Sequence, residues 1–152
     1  MQKRLLVLTN NLSFRKIKNI SLFNKIIVTS DLNNKIPIEL MDKVMTLTQY
    51  KDELKFNYLG FEEAHNLIEK WKLIPIKPFQ NKKLAEILEY ESISILDVLQ
   101  SNLQVYYLSR IIRHIALVEK IIEYENPTEI VIHNICDNIT KAFLVVGKAK
   151  KI

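Results

Sequence analysis

The amino-acid sequence predicts an α/β protein with a Rossmann-like, mostly parallel sheet of about four or five strands flanked by helices. Two observations carry this prediction. Short apolar runs typical of strands alternate with longer stretches of helical periodicity. The apolar runs also contain few polar residues, as expected of parallel strands covered by helices on both faces. Crossovers between such strands are right-handed, and a long helix or helical pair is expected before the last clear strand.

Three apolar runs in the first third of the chain predict the first strands. Residues 3–9 (KRLLVLT) end at the polar pair Asn10 and Asn11, and residues 25–30 (KIIVTS) end at Asp31. Residues 43–48 (KVMTLT) form a third, weaker candidate. Polar turn residues after apolar runs mark strand ends, so we expect these runs to be separate strands.

Two helical stretches follow. Residues 61–73 place apolar side chains at helical spacing, with Glu62 and Glu63 in the first turn and Pro75 after the end. Residues 82–124 then form a very long helical pattern. An unbroken helix of this length would reach about 60 Å. We therefore expect a break near residues 92–94, where Ser-Ile-Ser is a poor helix former.

The clearest strand comes late in the chain. Residues 128–133 (TEIVIH) follow Asn126 and Pro127, which end the preceding helix. A final helix is predicted from Asp137 to about Lys150. This order of elements fits a single domain over residues 1–152.

Composition excludes several kinds of site. Only two glycines, Gly60 and Gly147, are present, so a glycine-rich loop that cradles phosphates cannot form. The single cysteine, Cys136, excludes an internal disulfide and multi-cysteine metal centres, and we expect a partly buried, inert thiol. The three histidines are far apart in sequence and form no His-x-x-x-His pair. No metal site and no cofactor are therefore predicted.

The net charge of +5 is unevenly distributed. Residues 1–35 contain seven basic side chains and one acid, and this segment could receive phosphate, nucleic acid or an acidic sugar. However, 18 of the 22 basic residues are lysine, and neither arginine nor aromatic residues are concentrated as they are in nucleic-acid-binding surfaces. Nucleic acid is therefore not a favoured partner.

No secretory signal and no membrane-spanning helix are predicted. The most apolar window, residues 111–122, is interrupted by charged or titratable side chains and is shorter than the roughly 20 residues that a membrane span needs. The apolar run at residues 142–146, which is followed by lysines, allows at most a peripheral contact with a membrane. A cytoplasmic location is expected.

Two stretches in the second half of the chain, residues 84–100 (LAEILEYESISILDVLQ) and 106–132 (YYLSRIIRHIALVEKIIEYENPTEIVI), carry a family resemblance. They resemble the amino-terminal domains of GT-B-type glycosyltransferases and related surface-carbohydrate (capsule polysaccharide) biosynthesis proteins. The opening runs KRLLVLTNN and NKIIVTSD are similar to the first two strands of that fold. The resemblance implies the acceptor-side, amino-terminal half of a longer protein, whose nucleotide-sugar domain would be carboxyl-terminal. The isolated chain would then bind a carbohydrate acceptor and would not transfer sugar on its own.

Polar residues that follow the predicted strands are the candidate substrate-binding residues. Ligands of open α/β sheets bind outside the carboxyl ends of the strands. This rule selects polar residues after three strands: Asn10 and Asn11 after the first, Ser30 and Asp31 after the second, and His133, Asn134 and Asp137 after the last. Of these, Asn10, Asn11, Asp31, His133 and Asn134 are the predicted substrate-binding residues. The asparagine side chains could hydrogen-bond sugar hydroxyls, as the family resemblance implies. Asp31 and His133 could also form a base and its orienter if their strands are neighbours.

A structural role is the alternative for the acids and the histidine at these strand ends. Asp31 and Asp137 would then cap a turn or a helix start, and His133 would merely end its strand. The sequence identifies no catalytic residue.

Arg110 and Arg113 form a candidate anion-binding pair on the long helix. At i, i+3 spacing they share one face and could clamp a phosphate or a carboxylate. The alternative is that they pair with Glu119 or with acids of a neighbouring helix.

A different class of function also fits the long apolar helix. The chain could be a non-catalytic, Rossmann-like module that docks a partner or forms a homodimer through the face around Leu99, Leu103 and Tyr106. A dimer that buries this face would favour the module. A monomer with an exposed cleft at the strand ends would favour the glycosyltransferase-like half.

Overall fold

The computed structural model describes residues 2–9, 14, 17–30, 36–75, 77–135 and 137–152. Four residues that the sequence singles out, Asn10, Asn11, Asp31 and Cys136, lie outside the described residues. The chain divides into two compact units. We call Met1–Asn57 with His114–Ile152 the sheet unit, and Tyr58–Arg113 the helical unit. The expectation of one domain over residues 1–152 stays a prediction.

The described residues contain six strands: β1 (Arg4–Leu8), β2 (Lys25–Val28), β3 (Val44–Thr46), β4 (Glu89–Tyr90), β5 (Ile93–Ser94) and β6 (Glu129–Ile132). They also contain six α-helices: α1 (Leu47–Glu53), α2 (Phe61–Lys72), α3 (Leu84–Ile87), α4 (Ile95–Asn102), α5 (Ser109–Glu125) and α6 (Asn138–Lys150). A π-helix, Leu103–Leu108, joins α4 to α5. Within the described ranges, none of the helices is long and apolar enough to cross a membrane.

Four strands form the sheet of the sheet unit, in the order β3-β2-β1-β6. Every pairing is parallel, with Leu6 of β1 opposite both Ile26 of β2 and Val131 of β6. The side chains from Leu5 to Leu8 are 1% exposed or less, because β1 is an inner strand that is covered on both faces. The predicted α/β class and parallel sheet are confirmed.

Alternate residues of β1 belong to two different cores. Leu5 and Val7 pack in the core that α5 and α6 cover. Leu6 and Leu8 pack in the second core, where loop and 3-10 turn residues between the strands, Phe23 among them, supply the covering side chains. The period of two along the strand therefore uses both faces of the sheet.

The break expected near residues 92–94 is present, but it is a hairpin. Strands β4 and β5 pair antiparallel, with Glu91 and Ser92 in the turn at φ values of 48° and 64°. These left-handed values reverse the chain direction between the two strands, after α3 has already ended at Ile87. The prediction of helix is therefore wrong for β4, whereas β5 lies within the predicted break. The long helical segment before the last strand is confirmed, since α4, the π-helix and α5 follow one another from Ile95 to Glu125.

Helix α1 was not predicted from the sequence, although a local signal for it exists. The Thr46 hydroxyl accepts a hydrogen bond from the Gln49 amide at 3.2 Å, and the Gln49 side chain accepts one from the Thr46 amide at 2.7 Å. This reciprocal capping box ends β3 and starts the helix within one residue. Helices α2 and α6 lie where the sequence predicts them.

Candidate functional site

The strand order places a topological switch point at the centre of the sheet. From β1 the chain proceeds outward to β2 and β3, and it then returns to add β6 on the other side of β1. In open parallel sheets, ligands bind outside the carboxyl ends of the strands at the point where the order reverses. The candidate site is therefore the edge where β1 and β6 end, which we call the carboxyl edge.

A bridge of hydrogen bonds ties three elements together at the carboxyl edge. The Thr29 hydroxyl, one residue past β2, lies 3.1 Å from Asp137 Oδ2 and 3.3 Å from the carbonyl oxygen of Thr9, one residue past β1. The Asp137 Oδ1 atom accepts hydrogen bonds from the amide and hydroxyl of Thr140, at 2.7 Å and 2.8 Å. Asp137 thus caps α6 and links it to β2, so its structural role is confirmed.

His133 and Asn134 leave β6 at the same edge with both side chains exposed. The His133 amide donates to the carbonyl oxygen of Val7 at 3.0 Å and so extends the pairing with β1 by one residue. Among the described residues, neither the imidazole nor the Asn134 amide group has a hydrogen-bond partner. Both side chains can therefore donate to and accept from a ligand at the switch point.

A direct pair of Asp31 and His133 requires that their strands be neighbours in the sheet, and this requirement is not met. Strands β2 and β6 each pair with β1 and are not neighbours. They are therefore separated by two strand spacings, about 9.5 Å. Asn10, Asn11 and Asp31 lie outside the described residues, so their part in the site stays a prediction.

Arg110 and Arg113 line one concavity of about 210 Å³ in the helical unit. We call it the arginine pocket, and its other lining residues are Leu59, Phe61, Val105, Tyr106 and Ser109. Among the described residues, no carboxylate lies within ion-pair distance of either guanidinium, so the expected alternative of a pair with Glu119 is not found there. Two uncompensated positive charges therefore face one small concavity.

Residues of the π-helix line both this pocket and a second concavity of the helical unit. The second, which we call the tyrosine groove, has a volume of about 430 Å³ and is lined by Leu99, Asn102, Leu103, Tyr106 and Tyr107. It contains all three residues that the sequence suggested for partner docking. π-Helical turns are rare in proteins, and those that occur are often found at functional sites. Tyr106, which belongs to this π-helix, lines both concavities.

A buried polar cluster in the sheet unit is absent from the sequence predictions. The Tyr50 hydroxyl of α1 donates to Glu125 Oε1 at 2.6 Å, and Lys3 Nζ lies 3.2 Å from Glu125 Oε2. Burial, and then the hydrogen bond to Glu125, raise the pKa of the Tyr50 phenol well above its usual value. The two residues are 75 positions apart in sequence, and no local pattern links them. The cluster joins α1 to the end of α5 and has a structural role.

The described part of the chain offers no group of three or more histidine, cysteine, aspartate and glutamate side chains that could hold a metal ion. The fold and the carboxyl edge define a Rossmann-like α/β protein. No family model, curated protein or solved structure matches the chain. The resemblance to glycosyltransferase amino-terminal domains therefore stays a prediction.

Proposed function

We propose that this chain is an acceptor-binding domain of a glycosyltransferase-like, surface-carbohydrate biosynthesis protein and is not catalytic on its own. One observation supports the proposal above the others. The sheet reverses its order between β1 and β6, and the exposed side chains of His133 and Asn134 follow β6 at that point. This is where the open sheet of an α/β protein receives its ligand.

The chemistry of these two side chains suits a neutral, hydroxyl-rich ligand. An imidazole and a carboxamide each offer a donor and an acceptor, which is the pairing that a sugar hydroxyl needs. The bridge from Thr29 to Asp137 holds the neighbouring strand and helix ends in place. Preorganised contacts of this kind lower the entropic cost of binding.

The proposed lack of catalysis follows from the residues that the chain offers for donor binding and acid–base chemistry. A nucleotide-sugar donor is commonly held through its phosphates by a glycine-rich turn, and two separate glycines cannot form one. Within the described residues, the Asp137 carboxylate at this edge already accepts hydrogen bonds from Thr29 and Thr140. Donor binding is therefore assigned to a second domain.

The proposal is tested by titrating the ¹⁵N-labelled chain with methyl glycosides of glucose, galactose and N-acetylglucosamine. We expect amide shifts confined to the ends of β1 and β2 and to residues 133–135. His133→Ala and Asn134→Ala should each weaken the best glycoside by about three- to tenfold, the equivalent of one hydrogen bond. Asn57→Ala is the matched control, since Asn57 is exposed in the same unit but lies away from this edge. An absence of shifts, or equal losses in the control, would contradict acceptor binding there.

The alternative function, a docking module, makes a different prediction for the oligomeric state. In that case Leu99, Leu103 and Tyr106 of the tyrosine groove would be buried between two copies. Sedimentation equilibrium of the unmodified chain separates the two ideas. A monomer that binds glycosides supports the acceptor domain, and a dimer that Tyr106→Ala dissociates supports the module.

A further inference from the structure

We propose that the arginine pocket of the helical unit binds a phosphomonoester carried on an aromatic ring. The site is distinct from the carboxyl edge and lies wholly within Tyr58–Arg113. The inference does not depend on acceptor binding, so either proposal can fail while the other holds.

The choice of arginine is the first argument. The chain uses lysine at 18 of its 22 basic positions, yet two of its four arginines stand three residues apart and line the same concavity. The guanidinium group presents a planar fork of donors that matches phosphate oxygens, which the ammonium group of lysine does not. Because both side chains line one concavity, Arg110 and Arg113 can contact the same phosphate.

The charge balance within the helical unit is the second argument. Lys72 of this unit is neutralised by Glu69 at 2.9 Å and by Asp97 at 2.6 Å. Arg110 and Arg113 have no such partner among the described residues. Two neighbouring like charges without a counterion repel each other, and a bound dianion would relieve this repulsion.

The walls of the pocket define the rest of the ligand. Leu59, Phe61 and Tyr106 are 53%, 42% and 67% exposed, which is high for large apolar or aromatic side chains. They offer an apolar surface beside the arginines, against which an aromatic ring can pack. The pocket, at about 210 Å³, is smaller than the roughly 300–1,000 Å³ of sites for drug-sized ligands. One phosphate with one ring is therefore the expected size.

The two arginines are the main hydrogen-bond donors that the pocket offers to a ligand. The Ser109 hydroxyl donates to the Val105 carbonyl oxygen at 2.7 Å, so its proton is already used within the helix. The π-helix carries Tyr106 to the pocket wall, where its hydroxyl can add a further donor to the phosphate.

Isothermal titration calorimetry of the whole chain tests the proposal with three probes. Phenyl phosphate should bind at least about tenfold more tightly than inorganic phosphate, which lacks the ring, and than phenyl glucoside, which lacks the charge. Arg110→Gln and Arg113→Gln should each weaken phenyl phosphate by about tenfold or more. Arg113→Lys keeps the charge but loses the fork, so it should recover only part of the affinity.

Lys82→Gln is the matched control, because it removes one exposed positive charge of the same unit outside the pocket. We expect it to change the affinity less than about twofold. Equal weakening by all three glutamine variants would show attraction by overall charge and would overturn the proposal. An absence of saturable phenyl phosphate binding up to about 10 mM would also overturn it.

A measurement on the unmodified chain keeps the proposal testable if an arginine variant fails to fold. Phenyl phosphate should shift the side-chain Nε signals of Arg110 and Arg113 and the amide signals of Leu59 and Phe61. Shifts confined to the basic residues of the sheet unit would instead place the anion elsewhere and refute the assignment.

Discussion

Removal of the Tyr50 hydroxyl should destabilise the sheet unit by about 2 kcal/mol. Tyr50 is fully buried, and its hydroxyl donates to Glu125 Oε1 at 2.6 Å, while Glu125 is itself only 6% exposed. Tyr50→Phe keeps the ring and its packing but removes this donor. The largely buried carboxylate then loses this hydrogen bond, and its burial limits replacement of the bond by water.

The magnitude follows from the charge on the acceptor. A hydrogen bond to a charged group contributes about 1.5–3 kcal/mol, which is more than a bond between neutral groups. Lys3 Nζ, at 3.2 Å from Glu125 Oε2, stays in place and offsets part of the loss. The Lys3 side chain is 43% exposed, so its attraction is screened by solvent and cannot replace the bond. A value near the middle of the range, about 2 kcal/mol, is therefore expected.

Urea unfolding monitored by circular dichroism measures the difference in free energy of unfolding between Tyr50→Phe and the unmodified chain. An unchanged m-value would show that the substitution has not altered the denatured state. Tyr124→Phe is the matched control. Tyr124 is exposed, and its hydroxyl donates to Glu53 at 3.1 Å on the surface, so its removal should leave the midpoint almost unchanged.

The same cluster predicts a dependence on alkaline pH. Because the folded state raises the pKa of the Tyr50 phenol, the stability from this group is fully present below the unfolded pKa of about 10. This stability is lost as the pH rises beyond that value, and Tyr50→Phe should make the loss smaller.

The urea comparison decides the main prediction. If Tyr50→Phe unfolds at the same urea concentration as Tyr124→Phe, the argument that this buried hydrogen bond stabilises the fold is refuted.

Two further predictions concern the backbone and acidic pH. Gly60 has φ of +72°, and an added Cβ would approach the Ser109 carbonyl oxygen at 3.2 Å, so Gly60→Ala should lower the free energy of unfolding by at least about 1 kcal/mol. The control Gly147→Ala, with its nearest contact at 3.5 Å, should be neutral or stabilising in the same urea experiment, and equal losses would contradict the strain argument. The hydrogen bonds from Arg4 hold the pKa of the Glu129 carboxyl below its ordinary value. The stability that this pair contributes is therefore fully present above the ordinary pKa of a glutamate, and it is lost as the pH falls through the lowered pKa of the folded state. Thermal unfolding between about pH 5 and pH 3 should therefore show a smaller decline for Glu129→Gln than for the unmodified chain, and parallel declines would contradict this.

Local patterns were sufficient for much of the fold. The continuous apolar run around Leu5–Leu8 predicts a strand that helices or loops cover on both faces, because only such a strand buries every residue. Helix α2 follows from its apolar spacing, and α6 from the capping aspartate Asp137. The capping box of Thr46 and Gln49 is an equally local signal that would have predicted α1.

Other features of the fold could not be predicted from local patterns of residues. Helical spacing of apolar residues continues from α3 into α4, and the Ser-Ile-Ser pattern predicted a break between them but not that the break is the hairpin of β4 and β5. The hairpin turn needs left-handed backbone at Glu91 and Ser92, neither of which is glycine. The π-helix widens the helical run without any motif that predicts it.

The sequence alone determined the class of fold, the strands that are covered on both faces, the absence of a glycine-rich phosphate loop and the candidate polar residues at the strand ends. Each of these depends on neighbouring residues or on composition. Only the tertiary structure decided that β1 separates β2 from β6, that Tyr50 reaches Glu125, and that Arg110 and Arg113 share a pocket with Phe61. These contacts join residues far apart in the chain, and their formation depends on how all the elements pack together, which no local pattern of residues encodes.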